Sequence, residues 1–186
     1  GARPGSFLAK RVTTDSGRVQ LAPSEFLEEL LSAAAPQTRG EGHRFQLITK
    51  RRQNTHKSWT HNVRSLTRGE NEQTNAIYMH PVDIESLSNE KGAAVDIASS
   101  AGEIRLPVEA LATLQRGVVA VPHGWGHQHA RGLSVASGLR GANVNILAAD
   151  GPEAIEPLSG MARLSAVPVS VSKAAGPIDP ASWSGR

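Results

Sequence analysis

The stretch Ala94-Val-Asp-Ile-Ala-Ser-Ser-Ala-Gly-Glu-Ile-Arg-Leu-Pro-Val108 decides the fold class of this chain. Apolar residues take alternate positions on both sides of Ser100-Ala-Gly102, at Val95 and Ile97 and then at Ile104, Leu106 and Val108. Alternation with a period of two is the pattern of a strand that buries one face. A short turn between two such runs predicts a β-hairpin.

Short strand patterns recur on both sides of this hairpin. They are expected at Arg18–Leu21, Phe45–Thr49, Ala76–Met79, Val118–Val121 and Val167–Val171. Ser24 can cap a helix that ends by Pro36 and Gly40, and Pro81 can begin a second helix that runs to Leu87. Six or so short strands, one or two small helices and long loops favour a mainly β fold, a β-barrel rather than a sandwich or a helical bundle.

Length and composition exclude several classes of protein. The 186 residues suffice for one domain with tails, and the absence of cysteine excludes a disulfide framework, a thiolate zinc site and an iron–sulfur cluster held by this chain alone. Since no apolar run reaches bilayer length and no signal peptide is visible, we expect a cytoplasmic protein. Because the chain begins with Gly1 rather than Met, we expect it to be a piece of a longer polypeptide.

The charge is unevenly distributed. The net charge is +3, yet residues 39–68 hold eight basic residues and a single acid, Glu41. This local excess of +7 predicts either a site for an anionic ligand or a solvated basic face, and charge alone leaves both open.

Three loops are candidates for chemistry. Residues 50–75 are polar and irregular, and within them Lys50-Arg-Arg-Gln-Asn-Thr-His-Lys-Ser-Trp-Thr-His-Asn62 combines guanidinium, hydroxyl and amide groups with one Trp. Such a mixture suits phosphates and a flat heterocycle. In Val121-Pro-His-Gly-Trp-Gly-His-Gln-His129, glycines allow close approach to a ligand. The third loop is a strand-like stretch, Gly141-Ala-Asn-Val-Asn-Ile-Leu147. Its two asparagine side chains form hydrogen bonds either with a neighbouring loop or with the polar edge of a ligand.

The residues offer binding chemistry without a convincing catalytic constellation. No dinucleotide-binding glycine motif, P-loop or nucleophile elbow is present. His123, His127 and His129 raise the possibility of a metal, but the glycines and the proline around them disfavour a helix that would align them. We therefore expect no metal ligand in this chain.

These loops, in this order, resemble the C-terminal molybdopterin-dinucleotide-binding domain of the molybdenum and tungsten oxidoreductases, the superfamily of formate dehydrogenase and dimethyl sulfoxide reductase. The likeness runs from about Ser16 to Val171. The motifs that carry it are Ser16-Gly-Arg-Val-Gln-Leu-Ala-Pro23, Arg51, Ser58-Trp-Thr-His-Asn62, Met79-His-Pro-Val-Asp83, Gly102, Gly117-Val-Val, Pro122-His-Gly-Trp-Gly-His127, Asn143-Val-Asn145, Asp150 through Pro157-Leu-Ser-Gly160, and Val167-Pro-Val-Ser-Val171.

The resemblance implies a double-psi β-barrel that binds the bis(molybdopterin guanine dinucleotide) cofactor. By position, the cofactor-binding residues would be Arg51, His56, Ser58, Trp59, Thr60, His61, Asn62, His123, Gly124, Trp125 and Asn145. The barrel would span residues 43–172, after a lead-in and edge helix at 1–42 and before a disordered tail at 173–186. The molybdenum or tungsten would be held mainly by other domains of a formate-dehydrogenase-like enzyme.

The resemblance also implies partners and an activity. The partners would be the iron–sulfur and pterin-binding N-terminal domains of the parent polypeptide, with no nucleic acid and no membrane span. The chain would be a fragment of an oxidoreductase and inactive alone. An alternative from another class is a single-stranded nucleic-acid-binding barrel that uses the basic stretch 39–68 and Trp59. A third is a metal hydrolase that uses the histidines of 123–129.

Overall fold

The computed structural model describes residues 11–34, 44–69, 73–87 and 91–176. It divides the chain into two compact units, Gly1–Thr38 and Arg39–Arg186. None of the helices in the described ranges combines the length and the apolar composition that a membrane-spanning helix requires. The predicted helix end at Pro36–Gly40 and most of the predicted tail, from residue 177 on, lie outside the described residues.

The first unit consists of a turn and one helix in its described part. The amide of Gly17 donates to the Thr14 carbonyl over 2.9 Å and closes a turn at residues 14–17. Helix α1 follows at Ser24–Ala34. The predicted strand Arg18–Leu21 is wrong, because this segment forms bends and no neighbouring strand pairs with it in the described part of the unit. A strand needs such a partner for its backbone hydrogen bonds.

The second unit is a closed barrel of six strands. They are β1 (Phe45–Lys50), β2 (Ile77–Met79), β3 (Ala94–Ala98), β4 (Glu103–Ala110), β5 (Val118–Pro122) and β6 (Val167–Lys173). A second helix, α2, covers Pro81–Ser86, and short 3-10 helices lie at Arg64–Leu66, Ala136–Gly138, Val144–Leu147 and Pro152–Ala154. The strands predicted in this unit are therefore confirmed, with ends that shift by one or two residues.

The strand order around the barrel is β1-β5-β2-β4-β3-β6. Strands β1 and β5 are parallel, and so are β2 and β4, whereas the other neighbours are antiparallel. The hairpin that decides the fold class is the β3–β4 pair, in which Val95 faces Leu106 and Ile97 faces Ile104. The prediction of a mainly β double-psi barrel with one or two short helices is confirmed.

The alternating apolar residues fill the barrel interior. Buried and partly exposed positions alternate along β3 and β4, as their sequence periodicity requires. The largest side chains with almost no exposed surface are Leu47, Ile77, Met79, Ile97, Leu106 and Leu147. Closure leaves no free sheet edge, so the barrel is a rigid base for the loops at its ends.

Helix α2 is tied to the barrel by its one buried carboxylate. Asp83 accepts a 2.8 Å hydrogen bond from the amide of Gly117, just before β5, and lies 3.7 Å from the Arg116 guanidinium. The helix begins with Pro81, and the ring of His80 caps the amide of Val82. Together these contacts fix the start of β5, the strand that leads into the second candidate loop.

The third candidate loop departs from its predicted form. Residues 141–147 do not form a strand, because the Asn143 side chain accepts a 3.1 Å hydrogen bond from the amide of Asn145 and caps a 3-10 helix at Val144–Leu147. Short amide side chains compete with strand pairing in this way. The two asparagines therefore do not alternate across a strand.

Candidate functional site

Two of the candidate loops leave the same end of the barrel, side by side. Strands β1 and β5 are parallel, and their last residues, Lys50 and Pro122, are register partners. The amide of His123 extends the ladder by donating to the Lys50 carbonyl over 3.2 Å. Residues 51–62, called here loop 1, and residues 123–129, called loop 2, therefore start next to each other although about 70 residues separate them in sequence.

A glycine allows the two loops to touch backbone to backbone. Gly124 has a φ of +91°, and a Cβ at this position would lie 2.7 Å from the carbonyl carbon of Lys57 and 2.8 Å from the amide of Ser58. No side chain fits at such distances, so Gly124 is required both by its conformation and by the approach of loop 1.

Loop 2 also packs against the third loop, residues 141–147, called loop 3. A Cβ on Gly126, which has a φ of +95°, would lie 2.6 Å from the Cβ of Asn143. A Cβ on Gly141 would lie 2.2 Å from the ring of Trp125. The Gln128 side chain adds a 2.7 Å hydrogen bond to the Gly141 carbonyl. Loop 2 is thus held between loops 1 and 3, and the three form one packed unit.

The outer surface of loop 1 is polar, basic and aromatic. Trp59 is 82% exposed, and the ring of His56 meets it edge-on at 5.9 Å between centroids. A hydrogen bond within the loop stabilises its conformation, since the Thr60 hydroxyl accepts from the amide of His56 over 2.7 Å. An indole ring displayed on a shaped loop is available for stacking on a flat ligand.

The electrostatics of this barrel end favour an anion. Residues 44–69 contain seven Lys or Arg and no Asp or Glu, and residues 110–149 also contain no acid. Desolvation by burial, and then the positive charges of Lys57 and Arg51, lower the pKa of His123. Lys57 and Arg51 are exposed and supply the charge that attracts an anion, whereas Nδ1 of His123 is buried.

Beneath the surface lies a cluster of aromatic rings. His61 is fully buried, with its ring centroid 4.4 Å from that of Trp125 and 5.4 Å from that of His127. Desolvation by burial, followed by the charges of His127 and Arg52, lowers the pKa of His61 to about 4. The imidazole of His61 is therefore neutral at physiological pH.

The loops leave buried nitrogens without hydrogen bonds. Within the described ranges, the buried side-chain nitrogens that lack a partner are Nδ1 and Nε2 of His61, Nδ1 of His123 and Nε1 of Trp125. Native proteins satisfy most buried polar groups, so each exception calls for a functional or structural explanation. Here all of them occur in loops 1 and 2.

All the predicted site residues lie in the three packed loops, and they differ in how far they are exposed. Arg51, His56, Ser58, Trp59 and Asn145 are exposed, Thr60, Asn62, His123 and Gly124 are half-buried, and His61 and Trp125 are buried. Asn62 accepts hydrogen bonds of 2.9 Å and 3.1 Å from the amides of Val135 and Ala136, so it ties loop 1 to the segment between loops 2 and 3.

Sequence reasoning missed Asn75, which supports the site from below. This fully buried residue bonds the backbone of Pro122 and Ala142, at the bases of loops 2 and 3. The only signal in the sequence is a single amide directly before the apolar run Ala76–Met79, and periodicity gives such a residue no role.

The donor set fits an anionic ligand that carries a flat ring. The exposed cations Arg51 and Lys57, the hydroxyls of Ser58 and Thr60 and the ring of Trp59 all lie in loop 1, which contacts loop 2 at Gly124. In the part of the chain that the structure describes, no three His, Asp or Glu side chains come together as metal ligands would. The arrangement supports binding of phosphates and a heterocycle.

Comparisons with known proteins agree with this geometry. Residues 45–168 match the family described as Molydopterin dinucleotide binding domain. Among solved structures, the chain is similar to acetylene hydratase from Pelobacter acetylenicus, at 19% identity and a TM-score of 0.59, over 84% of this chain and 21% of that one. At this identity the likeness shows the fold. No curated protein matches the chain. Since the family match takes in β1 to β5, the start of β6 and all three loops, the chain belongs to the molybdopterin dinucleotide-binding domain family of the molybdenum and tungsten oxidoreductase superfamily.

Proposed function

We propose that this barrel binds the nucleotide end of a bis(molybdopterin guanine dinucleotide) cofactor, as one domain of a larger formate-dehydrogenase-like oxidoreductase. The observation that carries the proposal is the backbone contact between loops 1 and 2 at Gly124, which gathers cations, hydroxyls and an exposed Trp at one barrel end without any acid in either loop. The family match supports the same ligand.

Each residue type has a role in this proposal. Arg51 and Lys57 attract and bind the diphosphate, and the hydroxyls of Ser58 and Thr60 donate to its oxygens. The exposed ring of Trp59 stacks on the guanine base. The bound cofactor supplies redox chemistry at its metal, and this chain holds the part of the cofactor that does not react.

The rest of the proposed enzyme lies outside this chain, which covers only 21% of the hydratase that it resembles. We infer that iron–sulfur and pterin-binding domains precede residues 1–42 in a cytoplasmic parent polypeptide. The domain limits 43–172 for the barrel and 173–186 for the tail belong to the same proposal. Alone, the chain would not turn over substrate.

The test at the level of this chain is calorimetric titration with GDP, which carries the guanine and the diphosphate. We expect Arg51→Gln to weaken GDP binding about tenfold, since a charge-assisted hydrogen bond contributes about 1.5 kcal/mol or more. Lys173→Gln is the matched control, because it also removes one exposed cation but lies at the C-terminal end of β6, which runs antiparallel to β1 and so ends at the opposite side of the barrel.

A second ligand separates the alternative function. If the basic loop binds single-stranded nucleic acid, a short oligothymidylate will bind with steep salt dependence, and excess GDP will not displace it. Such a result, combined with no measurable GDP binding, would replace the proposed function by that alternative, which the exposed Trp59 beside Lys57 also permits.

The test at the level of the parent is chemical. The complete polypeptide that contains this chain, purified from cells grown with molybdate or tungstate, should release GMP on acid hydrolysis in proportion to its metal content. An open reading frame that encodes this barrel alone would contradict the proposed domain organisation.

A further inference from the structure

The amide of Asn75 joins the bases of loops 2 and 3. Its Nδ2 donates to the carbonyl oxygens of Pro122 and Ala142, each over 3.0 Å, and its Oδ1 accepts from the amide of Ala142 over 2.9 Å. A primary amide has two N–H donors and one acceptor oxygen. Both donors and the oxygen of Asn75 are therefore used, in a position with no exposed surface.

The two residues before Asn75 extend these contacts to loop 1. Arg52, in loop 1, donates to the Thr74 carbonyl over 2.7 Å. The amide of Arg140 donates to the Gln73 carbonyl over 2.7 Å, and the Thr74 hydroxyl donates to the Arg140 carbonyl over 3.2 Å. The segment 73–75 thus bonds to loop 1, to the start of loop 2 and to the backbone that enters loop 3.

The spacing that Asn75 sets is a tight one. Gly141 precedes Ala142 directly, and a Cβ on Gly141 would lie 2.2 Å from the ring of Trp125 and 2.9 Å from Oδ1 of Asn75. A small movement of Ala142 therefore moves Gly141 relative to Trp125. Because the ring of Trp125 packs against that of His61, with 4.4 Å between centroids, the movement would reach loop 1 as well.

We propose that Asn75 is a positioning residue for the dinucleotide site: its buried amide fixes the distance between loops 2 and 3, and this distance sets the affinity for a guanine nucleotide. The second half of this inference rests on the proposed function, whereas the first half concerns the loops alone. Asn75 does not itself contact the ligand in this proposal.

Only an amide can make this set of hydrogen bonds. Asn75→Asp has nearly the same shape, but a carboxylate has no N–H group to offer the carbonyls of Pro122 and Ala142 and would face them with a like-charged oxygen. The bond from the Ala142 amide would survive in this variant. The substitution therefore breaks the link to loop 2 with little change in volume.

The experiment compares Asn75→Asp with Ile97→Ala in the full 186-residue chain. Ile97 is fully buried in β3, which pairs with β4 and β6 rather than with the strands that carry loops 1 and 2, so its truncation lowers stability and leaves the hydrogen bonds of Asn75 in place. The first measurement is hydrogen exchange of the amides of residues 123–128 and 141–147. The second is the dissociation constant for GDP.

We expect Asn75→Asp to speed exchange in both loops at least tenfold and to weaken GDP binding at least tenfold. Ile97→Ala should change neither the exchange rate of the loops nor the dissociation constant for GDP by more than twofold, even if it lowers the melting temperature as much as Asn75→Asp does. If Asn75→Asp does not fold, Asn75→Ser, which replaces the amide by a single hydroxyl and adds no charge, takes its place in both measurements.

Two results would overturn the inference. One is loop exchange in the Asn75 variant no faster than in Ile97→Ala. The other is faster loop exchange in the Asn75 variant while its affinity for GDP equals that of the wild type, provided that the wild type binds GDP. A wild type that does not bind GDP would contradict the proposed function instead, and the exchange result alone would then decide whether Asn75 positions the loops.

Discussion

Replacing His61 by Phe would remove two buried nitrogens while keeping a ring against Trp125. In the wild type, both ring nitrogens lack a partner and the residue has no exposed surface. Burial lowers the pKa of His61 to about 4 from 6.5, with the charges of His127 and Arg52 adding to the effect. The folded state therefore resists protonation of His61, and the unfolded state does not.

The sign and size of the effect follow from this difference in pKa. Below pH 6.5 the unfolded chain takes up a proton that the folded chain refuses until about pH 4, so the free energy of unfolding falls as the pH is lowered through this window. One pKa unit corresponds to about 1.4 kcal/mol. The loss due to His61 is thus about 2 kcal/mol at pH 5 and about 3 kcal/mol at pH 4 and below.

The assay is urea unfolding of wild type and His61→Phe at pH 7, 6 and 5, followed by circular dichroism. The free energy of unfolding of His61→Phe, relative to that of the wild type, should rise by about 2 kcal/mol between pH 7 and pH 5. Any cost of the larger phenyl ring is the same at each pH and cancels from this comparison. His129→Asn, at an exposed histidine of loop 2, is the control and should follow the wild type. A difference between His61→Phe and wild type that does not change with pH would refute the reasoning.

Two further substitutions test the contacts that shape the site. Gly124→Ala should destabilise the fold by about 3 kcal/mol or more, because the new Cβ meets the backbone of loop 1 in addition to the strain of a positive φ. Gly132→Ala is the control, because Gly132 has a φ of +78° and an added Cβ would meet no atom within 4 Å, so the free energy of unfolding should fall only by the backbone strain, about 1 kcal/mol. Equal losses of unfolding free energy in the two variants would contradict the backbone contact at Gly124. Asp83→Asn should lower the free energy of unfolding by about 1–2 kcal/mol through its weaker bond to Gly117, whereas Asp150→Asn, at an exposed position, should change it by less than about 0.5 kcal/mol; equal urea midpoints would argue against that bond.

The sequence predicts the elements of the barrel well because each strand carries its own signal. The apolar residues Val95 and Ile97 alternate with other residues within a few positions, as Ile104 and Leu106 do, and the turn between the two runs is equally local. Arg18–Leu21 has a similar pattern and forms no strand, because a pattern shows only that a strand could be half-buried. Pairing depends on a second segment, and a single stretch of sequence does not specify one.

The pairing of β1 with β5, and so the site, could not be predicted from the residues by pattern alone. These strands are far apart in sequence, and only their parallel register places Lys50 next to Pro122. The composition of the loops marked them as candidates and the resemblance to a family selected residues within them, but neither predicted burial: the buried His61 and Trp125 were grouped with the exposed Trp59. Asn75 was missed because its role depends on backbone atoms of two distant segments.

The distribution of unsatisfied groups gives a reason to place function at one end of this barrel. In the described residues, the barrel interior is apolar and the buried amide of Asn75 is fully bonded, whereas the unpaired buried nitrogens all lie in loops 1 and 2. Leaving a buried donor unpaired costs about 1–3 kcal/mol, so a fold that tolerates several in one place is unlike a fold optimised for stability alone. The loops are nevertheless held close together by glycines that leave no room for a Cβ. A packed but unsatisfied set of loops on a closed barrel is what a site needs if its remaining hydrogen bonds are to come from a ligand or from a neighbouring domain.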